Sequence, residues 1–304
     1  MSHSGLMPMT QARSRNFHRF YDINGWCFVL ASLTLVLLFM IYPILNSLWL
    51  SLHSGKGVIV QFVGFGNITR LMNDQVFITA LTNTLIFLIV QVPLMILLSL
   101  ATASCLNSPN VRFRSFFRMA IFLPCVTSLV AYSILFKSMF GYDGIVNSAL
   151  MTIGLIEHPI AWLTDPFWSK VTIILAITWR WTGYNMIFYL AAMQNIDKSI
   201  YEAAKLEGVS PVQTFFHITV PLLKPVILFT SVMSTIGTLQ LFDEVMNITN
   251  GGPANATLTL SMYIYNLSFK FVPNFGYAAT VSYVIVFFAA VLALVQFKFV
   301  QDKK

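Results

Sequence analysis

Six long apolar stretches, separated by shorter polar segments, divide the chain. They cover residues 26–50, 79–106, 116–139, 170–193, 226–247 and 276–299. Each reaches the length of about 20 residues that a helix needs to cross roughly 30 Å of hydrocarbon. Runs such as Leu33 to Tyr42 do not alternate between polar and apolar residues, which argues against a β-barrel. The pattern therefore predicts an all-α, polytopic membrane protein with six transmembrane helices.

The composition excludes a water-soluble globule. Of the 304 residues, 57% are hydrophobic and 10% are charged, and the mean hydropathy is +0.75. A soluble domain carries about 25% charged residues. So few charges cannot cover the surface of a soluble protein, and lipid must contact much of it.

The positive residues predict the orientation in the membrane. Twelve of the 18 Lys and Arg residues fall in segments or span ends that share one side, and only Arg180 lies deep within a span. The positive-inside rule then places both termini in the cytoplasm, with a tail at residues 1–25 and a membrane domain at 26–300. The expected location is the cell (inner or plasma) membrane. The twelve are Arg13, Arg15, Arg19, Arg112, Arg114, Arg118, Lys198, Lys205, Lys224, Lys298, Lys303 and Lys304.

Four prolines lie in or at the ends of the predicted spans: Pro43, Pro93, Pro124 and Pro225. Each lacks a backbone donor and permits a kink. Bends that serve packing explain them more simply than a gating hinge.

The segment between the fourth and fifth spans, residues 195–224, has the pattern of two short helices joined at a glycine. Ser199 precedes Glu202 by three residues, the spacing of a capping box, and Gly208 supplies a stop. The dipeptide at Ser210 and Pro211 then opens a second helix. The pair exposes apolar residues, so the segment is either a docking surface for another protein or lies on the membrane interface.

This segment resembles the EAA loop of permease subunits of ABC importers, with the pattern E-A-A-x3-G-x9-I-x-L-P. Val220, where Leu is usual, is the only departure. The matching positions are Glu202, Ala203, Ala204, Gly208, Ile218 and Pro221.

The resemblance implies the type I ABC importer transmembrane fold. It also implies that these residues form a coupling helix seated in a cleft of a cytoplasmic ATPase. The implied partners are an ATPase dimer, a second permease subunit, giving a heterodimer, and an extracytoplasmic sugar-binding protein. ATP and Mg would be bound by the ATPase, with no cofactor in this chain.

Other stretches look like the carbohydrate-uptake branch of these permeases. They include 62–67, 116–124 and 249–255, and residues 237–243 resemble the permeases for lactose, oligosaccharides and glycerol phosphate. The resemblance therefore implies that the substrate is a di- or oligosaccharide or a related carbohydrate.

A stripe of hydroxyl residues along the fifth span is one candidate for the substrate path. Ser231, Ser234, Thr235 and Thr238 share one helix face. Bonding to their own backbone or to neighbouring helices is the simpler explanation from the sequence alone. The resemblance implies sugar contact for Ser234, Thr238 and Leu241.

A polar interruption of the fourth span supplies the other half of the path. The resemblance implies sugar contact for Trp181, Gly183 and Met186. Tyr184 and Asn185 are added from chemistry, because aromatic faces and amide groups recognise sugars. Arg180 is a charge that must find a partner or water.

The sequence offers no catalytic or metal-binding motif. It lacks a G-x4-G-K-[ST] phosphate loop, so ATP hydrolysis would belong to a partner, and it lacks HExxH and GxSxG patterns. We therefore expect a transporter subunit that is not an enzyme. The residues alone leave two alternative functions open: an ion-coupled secondary carrier, and a membrane scaffold without a substrate pathway.

Overall fold

The computed structural model describes residues 25–26, 28–55, 61–108 and 110–301, without the side chains of 299–301. The predicted tail therefore lies outside the described residues, apart from Gly25. The helices are α1 (Phe28–Ser51), α2 (Gly66–Met72), α3 (Gln75–Asn107), α4 (Arg114–Val126), α5 (Leu129–Met139), α6 (Ile145–Thr152), α7 (Pro166–Gln194), α8 (Lys198–Leu206), α9 (Pro211–Leu222), α10 (Lys224–Leu239), α11 (Asp243–Ile248), α12 (Leu260–Tyr265) and α13 (Phe275–Gln301).

A small antiparallel sheet and three π-helical turns complete the described elements. Strands β1 (His53–Ser54) and β2 (Gln61–Phe62) pair His53 with Phe62. The π-helical turns are Leu37–Ile41 in α1, Phe215–Thr219 in α9 and Asn266–Lys270 after α12. The described chain is otherwise helical or in loops.

Six membrane spans can be assigned to these helices. Helices α1 and α3 and the Phe275–Lys298 part of α13 are long and apolar enough to cross a membrane, and two bent pairs, α4 with α5 and α9 with α10, raise the number to five. Helix α7 supplies the sixth, since its 29 residues extend roughly 43 Å at about 1.5 Å per residue. Polar residues at its centre lower its hydropathy. The prediction of an all-α polytopic protein with six transmembrane helices is confirmed.

The third and fifth apolar stretches are not single straight helices. Helices α4 and α5 meet at 100° because Thr127 and Ser128 adopt extended backbone conformations, with ψ of 150° and 132°. Pro124 lies just before this break, and Pro225 lies beside the 72° bend between α9 and α10. Pro93 lies inside α3, which continues through it. Helix α10 then ends at Leu239, and α11 begins only at Asp243.

Helices α3 and α7 form the centre of the bundle, where each also contacts α10. One buried cluster includes Phe87, Ile173 and Ala176, and a second includes Met186 and Tyr189. Helix α1, by contrast, packs mainly along α13, and its most apolar stretch has no buried residue. Its apolar surface therefore faces hydrocarbon or a further subunit.

A carboxylate clamps three elements where α3 begins. Asp74 caps α3 by accepting from the amides of Val76 (2.9 Å) and Phe77 (3.2 Å), and the hydroxyls of Tyr263 and Tyr277 both donate to its second oxygen. Burial raises the pKa of Asp74, but these four hydrogen bonds together lower it below its usual value. The ionised carboxylate thus joins α3 to α12 and α13.

Candidate substrate cavity and coupling segment

A cavity of about 530 Å³ opens among the helices where polar residues interrupt the apolar spans. It is the meeting point of α3, α7, α10 and α11, with one residue from α5. Its lining combines aromatic, amide, hydroxyl and charged groups, which is the mixture that recognises a polar organic ligand. The lining residues are Gln91, Met95, Leu129, Ile177, Arg180, Trp181, Tyr184, Asn185, Met233, Ser234, Ile236, Gly237, Thr238, Gln240, Leu241, Phe242, Asp243 and Glu244.

Most residues predicted for the substrate path line this cavity. They come from one face of α7, at positions three and four apart, from one face of α10, and from the segment that follows α10. Thr235, from the predicted hydroxyl stripe, instead accepts a hydrogen bond (2.8 Å) from the Gln296 side chain of α13. Ser234 and Thr238 of the stripe therefore line the cavity, whereas Thr235 takes part in packing between α10 and α13. The predicted residues in the lining are Trp181, Tyr184, Asn185, Ser234, Thr238 and Leu241.

Gly183 and Met186 do not line the cavity. A Cβ on Gly183 would lie 2.0 Å from the carbonyl oxygen of Ile121, so this glycine permits the close approach of α4 to α7. Met186 is fully buried in the second core cluster, beside Tyr189. Both lie on faces of α7 turned away from the cavity, which gives them a packing role in this structure.

A polar network in the wall of the cavity was not predicted from the sequence. Thr238 donates to the Gln91 side chain (3.0 Å), and the amides of Gln91 and Asn185 both donate to the Met95 sulfur (3.3 Å each). Gln91 is almost completely buried. The sequence does contain a signal for Gln91, because a side-chain amide in an otherwise apolar span is costly in hydrocarbon and therefore indicates a polar contact.

Two buried charges also line the cavity and were absent from the predicted path. Arg180 is 7% exposed, and its guanidinium carbon lies 5.3 Å from the ring centroid of Tyr132 and 5.8 Å from that of Trp181. Glu244 is 5% exposed, and its carboxyl group interacts with the side chain of Trp181. Among the described residues, no three His, Cys, Asp or Glu side chains are grouped to hold a metal ion.

The segment between α7 and α10 folds into the two expected short helices, with a different first cap. Asp197, rather than Ser199, caps α8 by accepting from the Ser199 amide (3.0 Å), and this hydrogen bond lowers the pKa of Asp197. The predicted capping box at Ser199 and Glu202 is therefore wrong, because the carboxylate two residues earlier takes the cap position. Gly208 ends α8 with a φ of +74°, as predicted.

The second helix begins as the sequence indicates. Ser210 and Gln213 form a reciprocal capping box, with hydrogen bonds of 3.3 and 3.1 Å, and Pro211 occupies the first turn. The Tyr201 hydroxyl lies 3.2 Å from that of Thr219, which ties α8 to α9. The two helices therefore form one unit.

This unit presents most of the predicted coupling residues on its surface. Glu202, Ala203, Gly208 and Pro221 are exposed, Ile218 is half-buried and Ala204 is buried. Large apolar side chains are exposed beside them, among them Leu206, which is 90% exposed, Val212 and Phe216. Large exposed apolar residues grouped on one short segment are typical of contact surfaces.

Comparison with known proteins gives a consistent result. A family model described as "Binding-protein-dependent transport system inner membrane component" matches residues 95–301. The lactose transport system permease protein LacF of Rhizobium radiobacter is 62% identical over 297 residues, covering 97% of this chain and 99% of that protein. The arabinooligosaccharides transport system permease protein AraP of Bacillus subtilis (strain 168) is 35% identical over 269 residues, covering 86% and 83%.

Solved structures share the fold. A bacterial ABC transporter involved in the import of the acidic polysaccharide alginate aligns with a TM-score of 0.81 at 22% identity, covering 97% of this chain and 100% of that chain. The alginate transporter in complex with its pentasaccharide-bound periplasmic protein aligns with a TM-score of 0.75 at 24% identity, covering 94% of each chain.

Proposed function

We propose that this chain, which belongs to the family of binding-protein-dependent transport system inner membrane components, is the permease subunit through which an ATP-driven ABC importer moves a di- or oligosaccharide. The cavity at the centre of the bundle carries the proposal. Its aromatic faces suit the CH surfaces of a sugar, and its amide and hydroxyl groups suit the sugar hydroxyls. The extensive identity to a lactose permease supports a small neutral saccharide as the cargo.

Energy would reach the cavity through the segment formed by α8 and α9. Its exposed Glu202 and Ala203, with the turn at Gly208, would sit in a cleft of a cytoplasmic ATPase dimer. ATP and Mg would be bound there and not by this chain. Because α9 leads into α10 through a 72° bend, a push on the segment would reach the cavity wall directly.

The remaining partners follow from the same assignment. A sugar-binding protein would deliver the cargo at the opposite face, and a second permease subunit would complete the pathway as a heterodimer. The exposed apolar surface of α1 and the other outer helices leaves room for such a subunit and for lipid. Both termini would lie in the cytoplasm, on the side of α8 and α9.

Photo-cross-linking in intact cells tests this coupling. We expect a benzophenone side chain at Leu206 to capture a protein whose peptides contain a phosphate-binding G-x4-G-K-[ST] loop. The matched control is Leu155, also an exposed leucine (69%) but in a loop of the other predicted face; it should capture no such protein. Absence of the nucleotide-binding protein at Leu206, or equal capture at Leu155, would refute the docking role.

A further inference from the structure

The Arg180 guanidinium carries donors that the described protein does not use. Its Nε and Nη1 atoms are buried without a hydrogen-bond partner, and Nη2 makes only a long contact of 3.5 Å to the Cys125 carbonyl oxygen. A buried charged donor without an acceptor is costly, and an intramembrane charge is costlier still. Because Arg180 lines the cavity, a ligand there can supply the acceptor that the described residues do not.

Glu244 is the complementary group in the same cavity. Its carboxyl interacts electrostatically with Arg180, yet none of the hydrogen bonds among the described residues joins the two side chains. Structural charges inside a membrane protein usually pair directly with each other or with backbone carbonyls. Here the Arg180 guanidinium and the Glu244 carboxyl group line the same cavity without a direct hydrogen bond between them.

We infer that Arg180 and Glu244 are a recognition pair for the hydroxyl groups of an uncharged carbohydrate, with Arg180 donating to one hydroxyl oxygen and Glu244 accepting from a neighbouring hydroxyl. A sugar hydroxyl is both donor and acceptor, so adjacent hydroxyls can satisfy both side chains at once. Trp181 lies beside both charges and lines the cavity, so an aromatic ring is available to pack against the sugar. This inference rests on the proposed function.

The charge of the cavity disfavours an acidic sugar. Asp243 also lines it, so the lining holds two carboxyl groups and a single guanidinium. A ligand carboxylate would have to approach these groups in a low-dielectric site, where like charges repel strongly. The pair therefore selects neutral saccharides.

Equilibrium binding to the intact importer complex in nanodiscs, without the binding protein, tests the pair. With radiolabelled lactose as the probe, Arg180→Gln and Glu244→Gln are each expected to raise the Kd about tenfold or more, since each removes a charge-assisted hydrogen bond. The matched controls, Lys170→Gln near the start of α7 and Glu157→Gln in a loop, remove the same charges outside the cavity and should change the Kd less than twofold.

Monodeoxy lactoses separate recognition from a structural role. At least one analogue should bind the wild type about fivefold more weakly than lactose. The same analogue should bind one of the two variants as tightly as lactose does, because that variant lacks the side chain that contacted the missing hydroxyl. If Gln variants fail to assemble, Arg180→Lys and Glu244→Asp serve with the same analogues. Analogue discrimination that is identical in wild type and variants would overturn the inference.

A charged analogue tests the neutrality of the cargo. Lactobionate should bind the wild type at least tenfold more weakly than lactose, and equal binding would overturn this part of the inference. Unchanged lactose binding in the variants would refute the pair while leaving the proposed function standing. A wild-type complex that retains no lactose would instead count against the cavity as the sugar site.

Discussion

Replacing Gly208 by valine is expected to lower sugar-stimulated ATP hydrolysis by the assembled importer at least tenfold. Gly208 joins α8 to α9 with a φ of +74°, a conformation that a β-branched residue rarely adopts. The local strain of roughly 1–3 kcal/mol would be relieved by reorienting α8 against α9. The exposed coupling surface would then no longer match its partner, while the six spans would insert normally.

Gly154→Val is the matched control for this variant. Gly154 has a φ of +72° in the loop after α6, and nothing lies within 4 Å of a Cβ at either glycine. The two substitutions therefore impose the same backbone strain at different places. ATP turnover is measured with purified complexes and sugar-loaded binding protein. Normal turnover in Gly208→Val, or an equal loss in Gly154→Val, would refute the coupling role of this turn.

Replacing Gly183 by alanine is expected to destabilise the bundle and distort the cavity. The added Cβ would lie 2.0 Å from the Ile121 carbonyl oxygen and 2.8 Å from its carbonyl carbon, so α4 and α7 must separate. Overpacking of this kind costs about 1–3 kcal/mol or more. Because Trp181 and Tyr184 lie on the same helix, lactose binding should weaken together with the melting temperature.

Gly237→Ala provides the comparison, because a Cβ on Gly237 of α10 meets nothing within 4 Å. In a helix interior this change should be neutral or slightly stabilising. Thermal unfolding of the purified complexes measures both variants. A melting temperature for Gly183→Ala equal to that of Gly237→Ala would show that the close approach of α4 and α7 has no energetic consequence.

The apolar pattern predicts the helices well and their breaks poorly. Continuous apolar runs identified the six spans because hydrocarbon demands helices of that length. The break at Thr127 and Ser128 and the gap between Leu239 and Asp243 interrupt runs that remain apolar on average. The position of such a break depends on tertiary packing, and a hydropathy pattern carries no information about tertiary packing.

The cavity could be predicted only in part, for a related reason. The polar cluster on α7 was visible because it interrupts an apolar run, whereas the hydrogen bond from Thr238 to Gln91 joins residues 147 positions apart. Family resemblance placed Gly183 and Met186 in the path, but their helical positions turn them towards Ile121 and the core. A match to a family motif covers consecutive residues, but consecutive residues of a helix face different directions, so only some of them can reach the cavity.

Transport by the reconstituted importer tests the central claim most directly. Proteoliposomes that contain this chain, its second permease subunit and the ATPase dimer are supplied with lactose-loaded binding protein. The account predicts lactose uptake that requires ATP on the ATPase side and continues undiminished when ionophores collapse every ion gradient. Uptake by this chain alone that stops with an ionophore and is indifferent to ATP would contradict it.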